Sequence, residues 1–280
     1  LEAPTGSGKT TLLPLLMHNS GLSEKKILLT QPRRLAAKSV ACRMSQLLKQ
    51  NPGKTCGYRV RGESKIGPAT KIEVATEGLA LNIIQNDPFL TDYDWIIIDE
   101  FHERHIEGDL LLALLRDLCR SVGAENAPGI ILMTATWQGQ PVEQLNDFHF
   151  HTIEGRLFPV DYKYSTGEEG IEYGPEFNRR FTKSINLALS QTSGKVLAFL
   201  PGKRELDQGL KMLQGSIPEC EISVLSGGLD LKKQQNIIQY NGDKRQVILS
   251  TSIAETSLTI EGVTAVVDSG LERMPVFDPN

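Results

Sequence analysis

The sequence predicts an α/β protein built from two tandem doubly wound parallel sheets. Short apolar runs bounded by turn residues recur along the chain, and such runs are typical of buried parallel strands. Segments with helical spacing of apolar residues lie between many of them, and this alternation of strand and helix occurs twice. With 280 residues, 40% of them hydrophobic, the chain is long enough for two such cores.

Four strands are predicted in the first half of the chain and three in the second. They are residues 27–29, 72–74, 95–98 and 130–133, then 196–200, 247–249 and 263–267. One predicted helix starts near Thr10, and four more extend over residues 35–48, 106–118, 177–189 and 229–238. A further strand is predicted around Phe150, with His149 and His151 as a surface pair on either side of it.

A break between two domains is predicted near residues 155–159. It assigns residues 1–157 to a first domain and residues 158–280 to a second. The polar passage 165–175, rich in glycine and glutamate, follows the break and is typical of a linker or surface loop.

Residues 3–10 (APTGSGKT) have the pattern of a phosphate-binding loop at the start of a helix. Glycines in such a loop allow backbone N–H groups to approach phosphate oxygens closely. Lys9 is predicted to contact the β- and γ-phosphates, and Thr10 to bind Mg²⁺ through its hydroxyl. The strict pattern has glycine where this chain has Ala3. The candidate ATP-binding residues of this segment are Thr5, Gly6, Ser7, Gly8, Lys9, Thr10 and Thr11.

Two carboxylates, Asp99 and Glu100, directly follow the predicted strand 95–98. Ligands of doubly wound sheets bind at the carboxyl ends of the strands. Thr10, Asp99 and Glu100 are therefore predicted to form the Mg²⁺ site, and Glu100 also to orient and deprotonate the attacking water. A polar strand-end turn is the alternative for this pair alone, and the phosphate loop in the same chain favours nucleotide chemistry.

With residues 99–104 (DEFHER), the chain resembles the DEAH-box helicases of superfamily two. Five further motifs match in order: 31–37 (QPRRLAA), 76–78 (TEG), 134–136 (TAT), 199–202 (FLPG) and 251–260 (TSIAETSLTI). Phe101 stands where alanine is commoner in the family, and in this respect the chain is similar to the bacterial HrpB-type members. The resemblance covers essentially the whole chain. It implies two RecA-like domains, ATP and Mg²⁺ as cofactors, and movement along or unwinding of RNA that is driven by ATP hydrolysis.

The resemblance also implies roles for particular residues. His102 would couple the ATP site to the second domain, and Arg43 would stack on the adenine. The partner would be single-stranded RNA, or an RNA duplex with a single-stranded tail. The residues implied to contact its backbone are Pro32, Arg33, Arg34, Thr76, Glu77, Gly78 and Thr251. Those implied to couple the ATP state to strand separation are Thr134, Thr136, Glu255 and Ser257.

The family pattern extends beyond both ends of this sequence. The first domain is expected to lack its first strand, and the chain reaches Asn280 before any arginine-rich QRxGRxGR motif. Arginines of that motif stabilise charge on the γ-phosphate and contribute ~10³ or more in rate. We therefore expect the chain alone to bind ATP far better than it hydrolyses it.

Charge and cysteine content limit the class of protein. The net charge is −4, yet residues 25–71 hold twelve Lys and Arg against one acid, a local charge of +11. Such a stretch indicates either a polyanionic partner or a solvated surface. The four cysteines form no C-x-x-C pair, which favours free thiols. No membrane-spanning run or leader is found, so a cytoplasmic protein is expected.

Three alternatives to an RNA helicase are open at this point. A DNA translocase would use the same motor, and the contacts that distinguish the sugar are not located by the sequence. A small-molecule kinase with a phosphate loop is opposed by the other motifs and by the basic stretch. A binding module without catalysis would apply if Asn280 were the natural terminus. Oligomeric state and direction of movement are not predicted.

Overall fold

The computed structural model describes residues 1–4, 6–137, 145–155, 159–164, 174–254 and 260–273. The chain forms two compact units, Leu1–Pro159 and Val160–Asn280. Each unit is built around its own sheet of mostly parallel strands, as the sequence predicts. Within the described ranges, no helix combines the length and the apolar character needed to cross a membrane.

The first unit contains a six-stranded sheet with the order β3-β2-β4-β1-β5-β6. All neighbouring strands are parallel except β2 and β3, which form an antiparallel pair. The strands are β1 (Lys26–Gln31), β2 (Cys56–Val60), β3 (Glu63–Lys65), β4 (Ile72–Thr76), β5 (Tyr93–Ile98) and β6 (Gly129–Leu132). The helices are α1 (Lys9–Asn19), α2 (Arg34–Leu47), α3 (Glu77–Asn86) and α4 (Ile106–Val122).

The core of the first unit lies around β1, which pairs with β4 on one side and β5 on the other. Ile27, Leu28 and Leu29 are fully buried because helices cover both faces of the central strands. One side of the sheet packs Ile98 and Leu111 into a single apolar cluster. The short apolar run at 27–29 therefore marks a strand that is buried on both faces.

The strands predicted at 27–29, 72–74, 95–98 and 130–133 are confirmed, whereas β2, β3 and α3 were not predicted. In β2, Gly57 and Arg59 interrupt the apolar pattern. A Cβ on Gly57 would collide with the Lys65 carbonyl oxygen, so the close approach of β3 requires glycine there. In α3, the spacing of the buried Ala80 and Ile84 is a helical signal that was present in the sequence.

The strand predicted around Phe150 is not formed. Residues 149–151 have no strand structure, and Thr152 makes an isolated parallel bridge to Glu2. Two backbone hydrogen bonds hold this segment: Glu2 N–H donates to His151 at 2.8 Å, and Ile153 N–H donates to Glu2 at 2.8 Å. The segment is thus extended but too short in its pairing to form a strand.

The second unit contains a four-stranded parallel sheet with the order β10-β7-β9-β8. Its strands are β7 (Lys195–Phe199), β8 (Glu221–Leu225), β9 (Gln246–Ser250) and β10 (Val263–Asp268). Its helices are α5 (Pro175–Gln191), α6 (Lys203–Ser216) and α7 (Leu231–Ile238). The predicted strands at 196–200, 247–249 and 263–267 are confirmed, and β8 and α6 were not predicted.

The start of α6 follows the turn 199–202 and is fixed by a buried carboxylate. Gly202 is the N-cap of α6, and a Cβ there would lie 2.8 Å from Glu205 Oε2. Arg273 donates to Glu205 Oε1 at 2.6 Å. A glycine before the helix leaves room for the Glu205 carboxylate, which is buried beside Gly202 over the first turn.

Candidate active site

The loop before α1 depends on two glycines. Gly6 has φ 78° and Gly8 has φ 84°, a left-handed conformation that only glycine adopts without strain. Gly8 is the N-cap of α1, and its carbonyl accepts from Leu12 N–H at 2.8 Å. Ser7 N–H donates back to Pro4 at 3.2 Å, so the loop closes as a tight turn in front of the helix. Backbone N–H groups at such a helix start attract phosphate.

The first residues of α1 bring charge and a hydroxyl to this loop. Lys9 is buried, and its Nζ donates to the Ala3 carbonyl at 3.0 Å, across the base of the loop. Thr10 Oγ1 donates to Asp99 Oδ2 at 2.7 Å. Thr11 Oγ1 donates instead to the Gly8 carbonyl at 3.2 Å, so its hydroxyl serves the loop itself.

The segment that leads into the loop is held from both sides. Ala3 N–H donates to Thr134 at 3.1 Å, and Thr134 N–H donates to Leu1 at 3.1 Å. Glu2 pairs on its other side with His151, as described above. These contacts fix the direction in which the chain enters the phosphate loop.

Asp99 lies at the carboxyl end of β5 and is fully buried. Its Oδ2 accepts from Thr10 and, at 2.6 Å, from Gln31 Nε2, while its Oδ1 accepts from Glu100 N–H at 2.9 Å. Burial raises the pKa of this carboxyl, and the three hydrogen bonds and the charge of Lys9 oppose that effect. Gln31 is the last residue of β1 and was not predicted as a site residue, although its position at the strand end was a usable signal.

Glu100 begins a tight turn. It has φ 52°, an uncommon conformation for a residue other than glycine, and a short 3-10 turn, Phe101–Glu103, follows. Phe101 N–H donates to the Met133 carbonyl at 3.0 Å, which ties the turn to β6. Glu100 is buried, and His102 Nδ1 lies 3.6 Å from its Oε2. Burial lowers the pKa of His102, which favours the neutral imidazole at pH 7.

The turn between β1 and α2 lies next to the turn after β5. Arg33 is the N-cap of α2, and its guanidinium Nη2 lies 3.6 Å from Glu103 Oε2. The same Glu103 oxygen lies 2.8 Å from His105 Nε2. Pro32 is partly buried and Arg34 is exposed. The candidate nucleic-acid residues and the acid pair therefore meet at one edge of the sheet.

The turn between β4 and α3 lies at the same edge, because Thr76 pairs in register with Gln31. Thr76 is the N-cap of α3, and Gly78 is exposed. Glu77 is buried against α4, where a Cβ on Gly108 would lie 2.7 Å from Glu77 Oε1. Burial raises the pKa of Glu77 to about 7, although nearby His105 opposes the shift.

Residues 134–136 form a turn closed by a hydroxyl. Thr134 is fully buried, its Oγ1 donates to the Thr136 carbonyl at 2.6 Å, and Thr136 N–H lies 3.2 Å from the same oxygen. The hydroxyl of Thr134, which serine would also supply, is therefore the group that closes this turn. Trp137, which follows, packs against Phe101 with ring centroids 6.5 Å apart. This turn thus contacts the one that carries Glu100.

The remaining predicted residues are dispersed. Arg43 lies on an exposed face of α2, in the middle of the helix. In the second unit, Thr251 directly follows β9, and Ala254 N–H donates to its carbonyl at 3.3 Å. Three further predicted residues lie outside the described residues: Thr5, Glu255 and Ser257.

The basic stretch 25–71 is not one surface. Lys25 and Lys26 precede β1 or begin it, whereas Arg33 and Arg34 follow its end, about 20 Å away at ~3.3 Å per residue. Four of its cations pair with carboxylates within the first unit. They are Lys26 with Asp92 at 3.1 Å, Arg33 with Glu103 at 3.6 Å, Lys38 with Glu63 at 2.9 Å and Arg59 with Glu73 at 2.9 Å. The sequence count of +11 therefore overstates the charge available to a partner.

Oxygen ligands for a small hard cation lie beside the phosphate loop. Thr10 Oγ1 and Asp99 Oδ2 are 2.7 Å apart, and Mg²⁺ prefers such oxygens together with phosphate and water. Across the part of the chain that the structure describes, no group of three or more His, Cys, Asp or Glu side chains is arranged to hold a metal. The site fits an ion that is bound partly through a nucleotide.

A glycine-rich loop that caps a helix, with a buried aspartate hydrogen-bonded to the first turn of that helix, defines a P-loop nucleotide-binding protein. The chain belongs to the DEAD/DEAH box helicase family. Residues 1–145 match the model for the DEAD/DEAH box helicase, and residues 179–278 match the helicase conserved C-terminal domain.

Individual relatives agree with this assignment. The chain is 41% identical over 287 residues to the ATP-dependent RNA helicase HrpB of Escherichia coli, covering 100% of this chain and 34% of that protein. It is 35% identical over 282 residues to the ATP-dependent RNA helicase HrpA of Borreliella burgdorferi, covering 99% of this chain and 34% of that protein.

A solved structure is also similar. The crystal structure of the E. coli DEAH/RHA helicase HrpB matches with a TM-score of 0.84 and 38% sequence identity. The match covers 99% of this chain and 35% of that one. The chain therefore spans about a third of the length of these relatives.

Proposed function

We propose that this chain is the nucleotide-binding core of an ATP-dependent RNA helicase, which couples ATP hydrolysis to movement along RNA or to its unwinding. The contact that carries the proposal is Asp99 Oδ2, which accepts from both Thr10 and Gln31. One carboxylate oxygen thereby joins the helix start beside the phosphate loop to β1, which is followed by the turn that contains Arg33 and Arg34. The names of the relatives, all ATP-dependent RNA helicases, support RNA as the polymer.

ATP would bind through its phosphates at the start of α1. Lys9 is buried beside the loop, and a short shift of its Nζ from the Ala3 carbonyl would bring it to the β- and γ-phosphates. The remaining loop contributes backbone N–H groups, and Arg43 is proposed to stack on the adenine. The proposed loop ligands are Thr5, Gly6, Ser7, Gly8, Lys9, Thr10 and Thr11.

Mg²⁺ would be held by Thr10 and Asp99, with Glu100 beside it. Bound there, Mg²⁺ would neutralise charge on the β- and γ-phosphates. The hydrogen bonds from Gln31 and from Glu100 N–H keep the Asp99 carboxylate oriented, and with Lys9 nearby they favour its ionised form against the effect of burial.

Glu100 is proposed to take the proton from the attacking water. Its backbone is left-handed, its side chain is buried, and it directly follows Asp99 at the carboxyl end of β5. The neutral His102 imidazole near Glu100 is proposed to transmit the nucleotide state, together with Thr134, Thr136, Glu255 and Ser257.

The nucleic acid is proposed to lie along the turns that follow β1 and β4. Arg33 and Arg34 would contact backbone phosphates, and the α3 N-terminus would add backbone N–H donors. Such contacts carry little base information, so weak sequence preference is expected. The proposed contact residues are Pro32, Arg33, Arg34, Thr76, Glu77, Gly78 and, in the second unit, Thr251.

The proposal is tested by two titrations of the chain. A fluorescent ATP analogue is titrated with and without Mg²⁺, and labelled single-stranded RNA and DNA of equal length are titrated with and without that analogue. We expect Mg²⁺-dependent nucleotide binding, and RNA binding that changes when nucleotide is present. Equal binding of RNA and DNA would favour a general translocase, and nucleotide binding without any polymer binding would contradict the helicase proposal.

A further inference from the structure

Glu103 occupies a central position between the two turns of the active-site edge. It ends the 3-10 turn Phe101–Glu103, and its N–H donates to the Glu100 carbonyl at 2.9 Å. The next residue, Arg104, has φ 52°, so the turn is bounded on both sides by left-handed residues. The Glu103 side chain is only 10% exposed. Glu103 therefore sits in a tight backbone turn, and its carboxylate is largely buried.

The Glu103 carboxylate lies next to Arg33. Glu103 Oε2 lies 3.6 Å from the Arg33 guanidinium and 2.8 Å from His105 Nε2. The Arg33 side chain remains 25% exposed, so a ligand in solvent can reach part of it. At 3.6 Å this contact is an ion pair longer than a hydrogen bond, and its attraction keeps the guanidinium close to the largely buried carboxylate.

A second contact joins the same two turns. Gln31 Nε2 donates to Asp99 Oδ2 at 2.6 Å. Gln31 lies two residues before Arg33 in the chain, and Asp99 lies four residues before Glu103. The turn after β1 is thus fastened to the turn after β5 at two points. One point is at the proposed magnesium ligand, and the other is at the proposed phosphate-binding arginine.

We propose that Glu103 is a positioning residue for the nucleic acid, which acts by holding the Arg33 guanidinium in the orientation that binds a backbone phosphate. This inference rests on the proposed function. Through the same contact, the arginine is held rigidly beside the turn that carries Glu100. Glu103 itself touches neither nucleotide nor nucleic acid in this role.

The test measures the affinity of labelled single-stranded oligo(U) for the chain by fluorescence anisotropy, in the presence of Mg²⁺ and a non-hydrolysable ATP analogue. Glu103→Gln keeps the shape and removes the charge. We expect about fivefold weaker RNA binding, because an unrestrained arginine loses side-chain freedom when it binds. Affinity for the ATP analogue is expected to change less than about twofold.

A double-mutant cycle separates positioning from general disruption. If Glu103 acts through Arg33, then Glu103→Gln has almost no further effect on RNA affinity in an Arg33→Gln background. Asp92→Asn is the matched control, since it removes the carboxylate partner of Lys26 at the opposite end of β1. That control should leave RNA affinity unchanged.

Three outcomes overturn the inference while leaving the proposed function intact. They are unchanged affinity in Glu103→Gln, tighter binding, which would show that the carboxylate competes with phosphate, and an equal loss in both backgrounds. Wild-type chain that binds no RNA overturns the proposed function and this inference with it. If Glu103→Gln unfolds at a lower temperature, His105→Ala is the second variant. It removes the other partner of the carboxylate and should weaken RNA binding about twofold, again only when Arg33 is present.

Discussion

The six-stranded sheet carries acidic and basic side chains at the amino ends of its strands (the amino edge) and at their carboxyl ends (the carboxyl edge). The carboxylates at these two edges differ in burial and in hydrogen-bond partners. At the amino edge, Asp94 Oδ2 accepts from the N–H groups of Glu24 and Lys25, each at 2.7 Å, and exposed Asp92 pairs with Lys26. At the carboxyl edge, the carboxylates of Asp99 and Glu77 are buried.

This difference separates structural acids from candidate functional ones. An exposed carboxylate that accepts backbone hydrogen bonds costs little and stabilises a turn. A buried carboxylate costs free energy, because desolvation disfavours the charge, and the raised pKa values of Asp99 and Glu77 express that cost. Perturbed carboxyl groups gathered at the strand ends where ligands bind mark the carboxyl edge as the working edge.

The largest expected effect concerns Glu100. In a longer chain that includes the arginine-rich motif, Glu100→Gln should lower the single-turnover rate of ATP hydrolysis by about 10³, or about 4 kcal/mol of barrier, because the amide cannot accept the proton. ATP affinity should stay within about threefold of wild type. Asp92→Asn, at the amino edge, is the control and should leave the rate unchanged. A Glu100→Gln rate within about threefold of wild type would remove Glu100 from the mechanism.

Glu77 is expected to make the first unit less stable as pH rises. Below pH 4.5 the carboxyl is protonated in both states; above it the unfolded chain ionises first, while the folded state resists until about pH 7. Stability is therefore lost between these values, by about 3 kcal/mol in total. Glu77→Gln should abolish the loss, whereas Glu107→Gln, an exposed neighbour, should not.

The measurement for Glu77 is urea unfolding at several pH values, followed by tryptophan fluorescence. Both tryptophans, Trp95 and Trp137, belong to the first unit, so the signal reports that unit. The same pH profile in wild type and in Glu77→Gln would show that the carboxyl titrates normally.

Lys9→Ala should weaken binding of the Mg²⁺-bound ATP analogue by about thirtyfold to a hundredfold, since it removes a charged donor to the phosphates. Lys26→Ala removes a lysine of the same unit, at the amino end of β1, and is the matched control. Fluorescence titration measures both. Equal affinities in the two variants would place the phosphates elsewhere.

The smallest effect concerns the salt dependence of RNA binding. Replacing Arg33 and Arg34 by glutamine should flatten the log–log slope by roughly one to one and a half units, at about 0.7 per phosphate contact. The same change at Lys25 and Lys26 should leave the slope unaltered, and poly-U and mixed sequences should behave alike. If both pairs change the slope equally, the basic stretch acts as one diffuse surface.

The sequence predicted the strands that carry the site, because buried parallel strands are short apolar runs and their ends mark the ligand edge, but it did not predict α3, whose start carries Glu77. It also predicted a working pair in Asp99 and Thr10, which the fold brings to 2.7 Å. Their proposed roles as magnesium ligands are still predictions. Arg43 is likewise placed on a helix, with its adenine contact still to be tested.

Side-chain partners were beyond the sequence. The Gln31 contact with Asp99 depends on the register between β1 and β5, which no local pattern encodes. The division of the basic stretch between two edges has the same cause, since neighbouring residues of one strand become distant once it is extended. Glu77 was named for its motif, and its burial under α4 became visible only in the packing.

The hydrogen bonds that anchor the start of the phosphate loop also set the order in which the chain can mature on the ribosome. Glu2 and Ala3 are held by Thr134 and His151, which are made more than a hundred residues later. At ~5–20 residues per second, that interval is roughly 7–30 s of synthesis. During that time the loop has been synthesised, but the residues that anchor it by hydrogen bonds have not. We therefore expect a nascent chain to gain nucleotide affinity abruptly rather than gradually. Slow, long-range closure of this kind is typical of parallel sheets.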